Sequence, residues 1–346
     1  MMETSALLRT LSEAVGVAGS ESGVLAAARE ELLKIGKCEV SPLGSLICKI
    51  REPKAGRAHV MLDAHLDEIG LIVTAILPDG FLKVSNCGGI DRRILPACQV
   101  TIHGREPLKA VVCSVPPHLQ DKEQKKTQKI EEFTLDAGLG FEAAQKLIAP
   151  GDRVTIDAPF AGLLGGRVTG KSLDNRAGCA AVIRAGELLA QSPLDCGLSV
   201  VLSSLEEVGE QGAQCAAYAL APTHAIVVDV SFAGAPGLGP VRQAAFGSGA
   251  MVGFAPTLCG EMSRGLIETA ERHQIPHTPE VMGGKSGTNA DNIAASRCGV
   301  RTALLSIPQR NMHTPVEIVD TADIEAVANL IAAYLCDNFS LEGFGC

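Results

Sequence analysis

Tryptophan is absent from the 346 residues and aromatic side chains make up only 3%, so stacking platforms for sugars or bases are not expected. An excess of positive charge is also missing. Thirty Lys and Arg face 39 Asp and Glu, a net charge of -9, which argues against an electrostatic nucleic-acid binder. No apolar run approaches the ~20 residues of a membrane span, and Met1-Met-Glu-Thr-Ser5 lacks the basic start and apolar stretch of a secretory signal. The twelve cysteines, scattered to Cys346, contain no CxxC pair. Cys113, Cys179 and Cys215 lie in apolar context and read as small buried residues, which makes a reducing cytoplasm the expected compartment. No internal repeat is found. What is present is ordinary for a globular chain with a large core and room for two domains: 46% hydrophobic and 20% charged residues.

The chain alternates in texture. Residues 5–33 carry apolar positions at helical spacing, broken by a Gly- and Ser-rich turn, and predict two helices. Strands are expected at 38–50, with a turn at Pro42-Leu-Gly44, and at 58–64. From 71 to 157 short β-like runs follow one another between Gly, Pro and Asp turns, with one helix candidate at 140–148 and a charged segment at 121–129 that reads as an exposed loop. Strands packed so densely without helices between them predict a β-rich domain inserted into an α/β one. Helix and strand then alternate again, ending in a helix at about 322–335 capped by Thr321.

Chemistry-bearing residues recur at the ends of apolar strands. Residues 198–205 form a β-branched run that leads into Glu206 and Glu207, then Gly209 and Gly212. Open α/β sheets place their sites at such carboxyl ends. Adjacent acids repel in a dry site unless a cation accompanies them. Taken alone, the pair reads more readily as a solvated helix start. His65 and Asp67 lie two apart, so an extended backbone puts them on one face, where Asp67 is placed to hold the imidazole of a metal ligand. An isolated HxD is a weak signal, and His59 reads as structural. Asp174 opens an apolar helix, as a cap or as a carboxylate bridging two metals. Asp229 ends a buried strand, a costly place for an unpaired acid. His313 follows the last apolar strand in a Pro-bounded loop. Gly283-Gly-Lys-Ser-Gly-Thr-Asn289 is glycine-rich but lacks the Walker order. Together, two imidazoles and several carboxylates form the ligand set for zinc, cobalt or manganese rather than for a thiolate site. They suffice for two metals sharing one carboxylate, with one acid left as a base.

The blocks Ala64-His-Leu-Asp-Glu-Ile-Gly70, Ser172-Leu-Asp-Asn-Arg176, Glu206-Glu-Val-Gly209, Asp229 and Met312-His-Thr-Pro315 resemble the M42 metallo-aminopeptidases, the tetrahedral and glutamyl aminopeptidases, over almost the full length. The resemblance implies a phosphorylase/hydrolase-like three-layer α/β/α catalytic domain, residues 1–71 and 162–346, with a β-rich dimerisation domain at 72–161. It implies two divalent ions per subunit. Asp174 would bridge them, His65 and Asp229 would complete one site, and Glu207 and His313 the other. Glu206 would be the general base activating the metal-held water nucleophile, and Asp67 would orient His65. The expected substrates are short peptides, and the expected assembly is a dodecamer built from dimers.

Two departures bear on substrate choice. The family's GTDA loop here reads Gly287-Thr-Asn-Ala290, and its Arg-Tyr pair reads Arg310-Asn311. Both are expected at the pocket for the first side chain, with Lys285, Thr288 and Arg310 as candidate substrate contacts, Lys285 suiting an acidic side chain. A dinuclear amidohydrolase or deacylase is the alternative activity. A non-catalytic scaffold needs a broken ligand set, which this chain does not have, and a glycosidase reading finds no aromatic platform.

Overall fold

The computed structural model describes residues 2–116, 118, 128–239 and 243–341. Its centre is four parallel strands, Gly197–Ser203, His59–His65, His224–Phe232 and Arg301–Arg310, neighbours in that order within an 11-stranded sheet. Parallel strands buried on both faces need near-continuous apolar sequence, and all seven residues of both His59–His65 and Gly197–Ser203 are buried. Alternation sorts their side chains into two cores. Val60, Leu62, Ala64, Val200 and Leu202 point toward helices Thr4–Glu13, Leu173–Leu189 and Thr321–Phe339. Met61, Val201, Ala225 and Val227 point the other way, toward Gln211–Leu220 and Asn289–Ala294. The result is the expected α/β/α sandwich.

Between Gly70 and Ile156 six antiparallel strands close a barrel around a separate core that includes Leu71, Val84, Ile102 and Val154. Its first strand, Gly70–Ile76, starts five residues beyond the end of His59–His65, so the barrel sits beside the carboxyl ends of the central strands. The short strand Ala161–Gly162 already pairs within the large sheet.

Some elements differ from expectation. A stretch rich in glycine and small residues ends in strand Ala250–Phe254, which pairs with His277–Val281. Small residues in the first and Pro279 in the second mask the β pattern, and the proline is tolerated because that strand lies on an edge. The last helix is capped by Asp320, whose carboxylate accepts from the amide of Ala322 at 3.0 Å, rather than by Thr321. Most of the charged segment 121–129 lies outside the described residues. Among the described residues no helix is long and apolar enough to cross a membrane, and eleven cysteines carry free thiols.

Candidate metal centre

The parallel strands all end at one edge of the sheet, and register brings their termini together: Ser203 lies beside His65, and Asp229 beside Ser306. His65 closes its strand, Glu206 and Glu207 follow Ser203, Asp229 falls near the end of His224–Phe232, and His313 follows Arg301–Arg310. Asp174 enters from the opposite direction at the start of Leu173–Leu189, where it and Asn175 have non-helical dihedrals.

The carboxylate of Asp174 stands between the two imidazoles. Its Oδ1 is 3.1 Å from His65 Nε2 and its Oδ2 is 3.4 Å from His313 Nε2. His65 Nε2 is also 3.8 Å from Asp229 Oδ1 and 3.9 Å from Glu206 Oε2. His313 Nε2 is 3.5 Å from Glu207 Oε1. Ligand atoms of His65, Asp174 and Asp229 lie within 4.8 Å of one another, as do those of Asp174, Glu207 and His313. A third grouping of the same kind joins His65 to Glu206 and Glu207. These residues line a cavity of about 480 Å³.

Buried carboxylates hold the backbone of this site. Both oxygens of Asp67 accept amide hydrogens, from Glu206 at 3.0 Å and Glu207 at 3.1 Å. The Asp67 carboxylate is 3.6 Å from His65 Nδ1, and the backbone carbonyl of Asp67 is nearer, at 3.2 Å. Asp67 therefore secures the glutamate turn with its side chain and faces the imidazole chiefly with its main chain. Glu317 repeats the device, accepting from the amides of Asp174 at 3.0 Å and His313 at 2.9 Å. Glu68 accepts from Gly16 N at 2.9 Å and from Lys171 Nζ at 2.7 Å, with Arg176 Nη2 3.6 Å away, and so ties the chain flanking His65 to the chain flanking Asp174. The barrel supplies a wall: a Cβ on Gly88 would lie 2.9 Å from Glu207 Oε2, and one on Gly89 2.9 Å from His313 Nδ1. With φ of 79° at Gly88, the turn calls for glycine on conformational grounds as well.

So many acids in a dry place raise the affinity for positive charge. Burial, then the neighbouring Asp174 charge, pushes Glu207 up to about 8. Burial likewise raises Asp229 well above the carboxylate range and raises Glu206, against the opposing pull of His65. Asp174 moves the other way, because its bonds to His313 and His65 outweigh its burial. The imidazoles mirror this. Its bond to Asp174 raises His313 to about 9, and the carboxylates around His65 overcome its burial and raise it too. A cluster that draws in protons this strongly, built only of imidazole and carboxylate donors converging on two sides of one carboxylate, fits a pair of divalent cations.

The substrate-contact candidates separate. Thr288 lines the cavity. Lys285 is on an exposed loop and not among the lining residues. Arg310 also turns aside: its Nε donates to the carbonyl of Gly234 at 2.5 Å and its guanidinium lies 4.4 Å over the ring of Phe246. Asn289 is buried beneath the site, not in the pocket, and donates to Asp63 Oδ2 at 2.9 Å and Ser203 Oγ at 2.8 Å. Asn311 shapes its loop by donating to the carbonyl of Val316. Sequence reasoning overlooked Glu317, Gly88, Gly89, Phe232 and Met312. Glu317 sits four residues beyond His313, and that proximity was the available signal. The glycines carried none, because they lie in a different domain.

Fold and site together define a metal-dependent hydrolase, and comparison with known proteins gives its family. The pattern of the M42 glutamyl aminopeptidase family matches residues 44–330. A putative aminopeptidase of Acetivibrio thermocellus is 32% identical over 335 residues, covering 95% of this chain and 98% of the relative. A lysyl aminopeptidase of Pyrococcus furiosus is 30% identical over 336 residues, covering 95% and 96%. The solved structure of the TET1 peptidase of Pyrococcus horikoshii, described as assembling into a tetrahedron or a large octahedral shell, superposes with a TM-score of 0.85 at 27% identity, covering 98% of this chain and 100% of that one. The chain belongs to the M42 family. It is an aminopeptidase, a metal-dependent enzyme acting on peptides.

Proposed function

We propose that this enzyme is a dinuclear metal aminopeptidase that removes amino-terminal residues from short peptides. The observation that carries the reading is the division of Asp174, one oxygen toward His65 and the other toward His313. His65 and Asp229 would hold one ion with Asp174, and Glu207 and His313 the other. The pair, zinc or cobalt with manganese as a further fit, would lower the pKa of water and polarise the scissile carbonyl.

The chain's own residues do the rest. Glu206, partly buried and lining the cavity, takes a proton from the attacking water and returns it to the departing amine. Asp67 fixes the turn that aims Glu206. A free α-amino group carries the positive charge that a carboxylate-lined cavity favours, and an acylated one does not.

The barrel region, 72–161, would serve dimerisation, and dimers would assemble into a dodecamer. The large assembly described for the Pyrococcus horikoshii relative, a tetrahedron or an octahedral shell, is the support for a large oligomer. The free thiols suit a reducing cytoplasm. The test of activity is turnover of a peptide with a free amino terminus against its N-acetylated form, after chelation and reloading with zinc or cobalt. Only the free peptide is expected to be cleaved. Preference for the acetylated one would make the enzyme a deacylase of the same metal chemistry.

A further inference from the structure

The cavity has walls besides the metal-site residues, and their chemistry selects a substrate. Apart from the His and acid constellation, its lining carries no charged side chain among the described residues. Val230, Phe232 and Met312 supply apolar surface, and Ser231, Ser286 and Thr288 supply hydroxyls. Phe232 is 45% exposed at the end of the strand that carries Asp229. Because Phe232 lines the cavity, its exposed ring is apolar surface that an aliphatic side chain bound there would cover. Of the two cations expected there for an acidic side chain, Arg310 is stacked on Phe246 and Lys285 lies outside the lining.

Among the described residues no acid outside that constellation lines the cavity. Glu280 lies beyond Ser231, but it is 6% exposed and takes hydrogen bonds from the hydroxyls of Ser231 and Ser306. The opposite wall is firmly held, because Asp291 accepts the amides of Ser286 at 3.2 Å and Gly287 at 3.0 Å. From these placements we infer that the pocket takes an uncharged first residue, of the leucine and methionine class, rather than glutamate or lysine. The inference rests on the aminopeptidase reading of this site. A charged side chain entering such a pocket would lose water without gaining a partner. An aliphatic one would cover Phe232 and Met312.

The test compares aminoacyl arylamides of leucine, methionine, glutamate and lysine on the metal-reloaded full chain. Calorimetric binding of free leucine, glutamate and lysine is measured in parallel. Leucine and methionine substrates are expected to exceed the charged ones by roughly tenfold or more in kcat/KM, and leucine to bind tightest of the free amino acids. Ser286→Lys should shift both readouts toward glutamate, and Phe232→Ala should weaken leucine. Glutamate or lysine turned over or bound as well as leucine would overturn the inference. So would a loss of glutamate turnover in Lys285→Met. Absence of turnover on every arylamide would sink the aminopeptidase reading instead, and the binding order would still decide the pocket.

Discussion

The two imidazoles of the proposed metal centre meet solvent differently. The side chain of His65 is 2% exposed and that of its companion Asp229 7%, under the ends of the central strands. His313 is 35% exposed and rises from a loop whose backbone is left-handed at both Asn311 and His313. Strands set the inner half and a turn sets the outer half. The difference teaches where flexibility can be afforded. An ion at His65 and Asp229 would be enclosed by structure, whereas one at His313 and Glu207 would meet solvent through the imidazole, since the Glu207 side chain is 5% exposed.

The largest break would come at the shared residue. Asp174→Ala is expected to lose both ions and leave only background turnover, read by elemental analysis beside an activity assay. Retention of one full ion would mean that the halves do not depend on a common bridge. Next, Glu206→Gln should keep both ions and the fold while kcat falls about 10²- to 10⁴-fold. If metal leaves as well, Glu206 is a ligand, as its grouping with His65 and Glu207 would permit.

Glu317→Gln replaces one of two amide acceptors with a donor, and should weaken metal binding about 10- to 100-fold. The outer ion should leave first in a chelator titration, and a single concerted loss of both would erase the distinction between open and enclosed halves. The outer half should also respond to pH. Glu207 at about 8 and His313 at about 9 both belong to the outer half, and both hold a proton at neutrality that an ion must displace. Ion uptake at pH 7 should release protons, and outer-site affinity should fall by about tenfold per unit of acidification for each proton displaced. Calorimetry in buffers of different ionisation heat measures this, and a heat independent of buffer would contradict it.

Much of the sandwich was legible because its strands are continuous apolar runs with a polar residue at the end. Asp229 stands out where such a run stops, whereas Glu206-Glu207 taken alone reads as a solvated helix start and gains its meaning from the other blocks. The barrel was legible as texture, short strands without helices, but its closure and its contact with the site were not. Gly88 and Gly89 matter through the space they leave for Glu207 and His313, and no local pattern records a space. Family resemblance placed Lys285, Arg310 and Asn289 near the substrate. Packing turned Arg310 onto Phe246 and Asn289 onto Asp63, because a neighbour one residue away in sequence can face the opposite side of a wall.

The paired-amide grip of Asp67 and Glu317 also has a kinetic consequence. Four backbone amides, those of Asp174, Glu206, Glu207 and His313, are held by carboxylates rather than by ions. They should exchange slowly with deuterium even after chelation. Loading then needs only encounter and the loss of protons, with no refolding step, so a chelated enzyme should regain its ions as fast as they can be mixed with it.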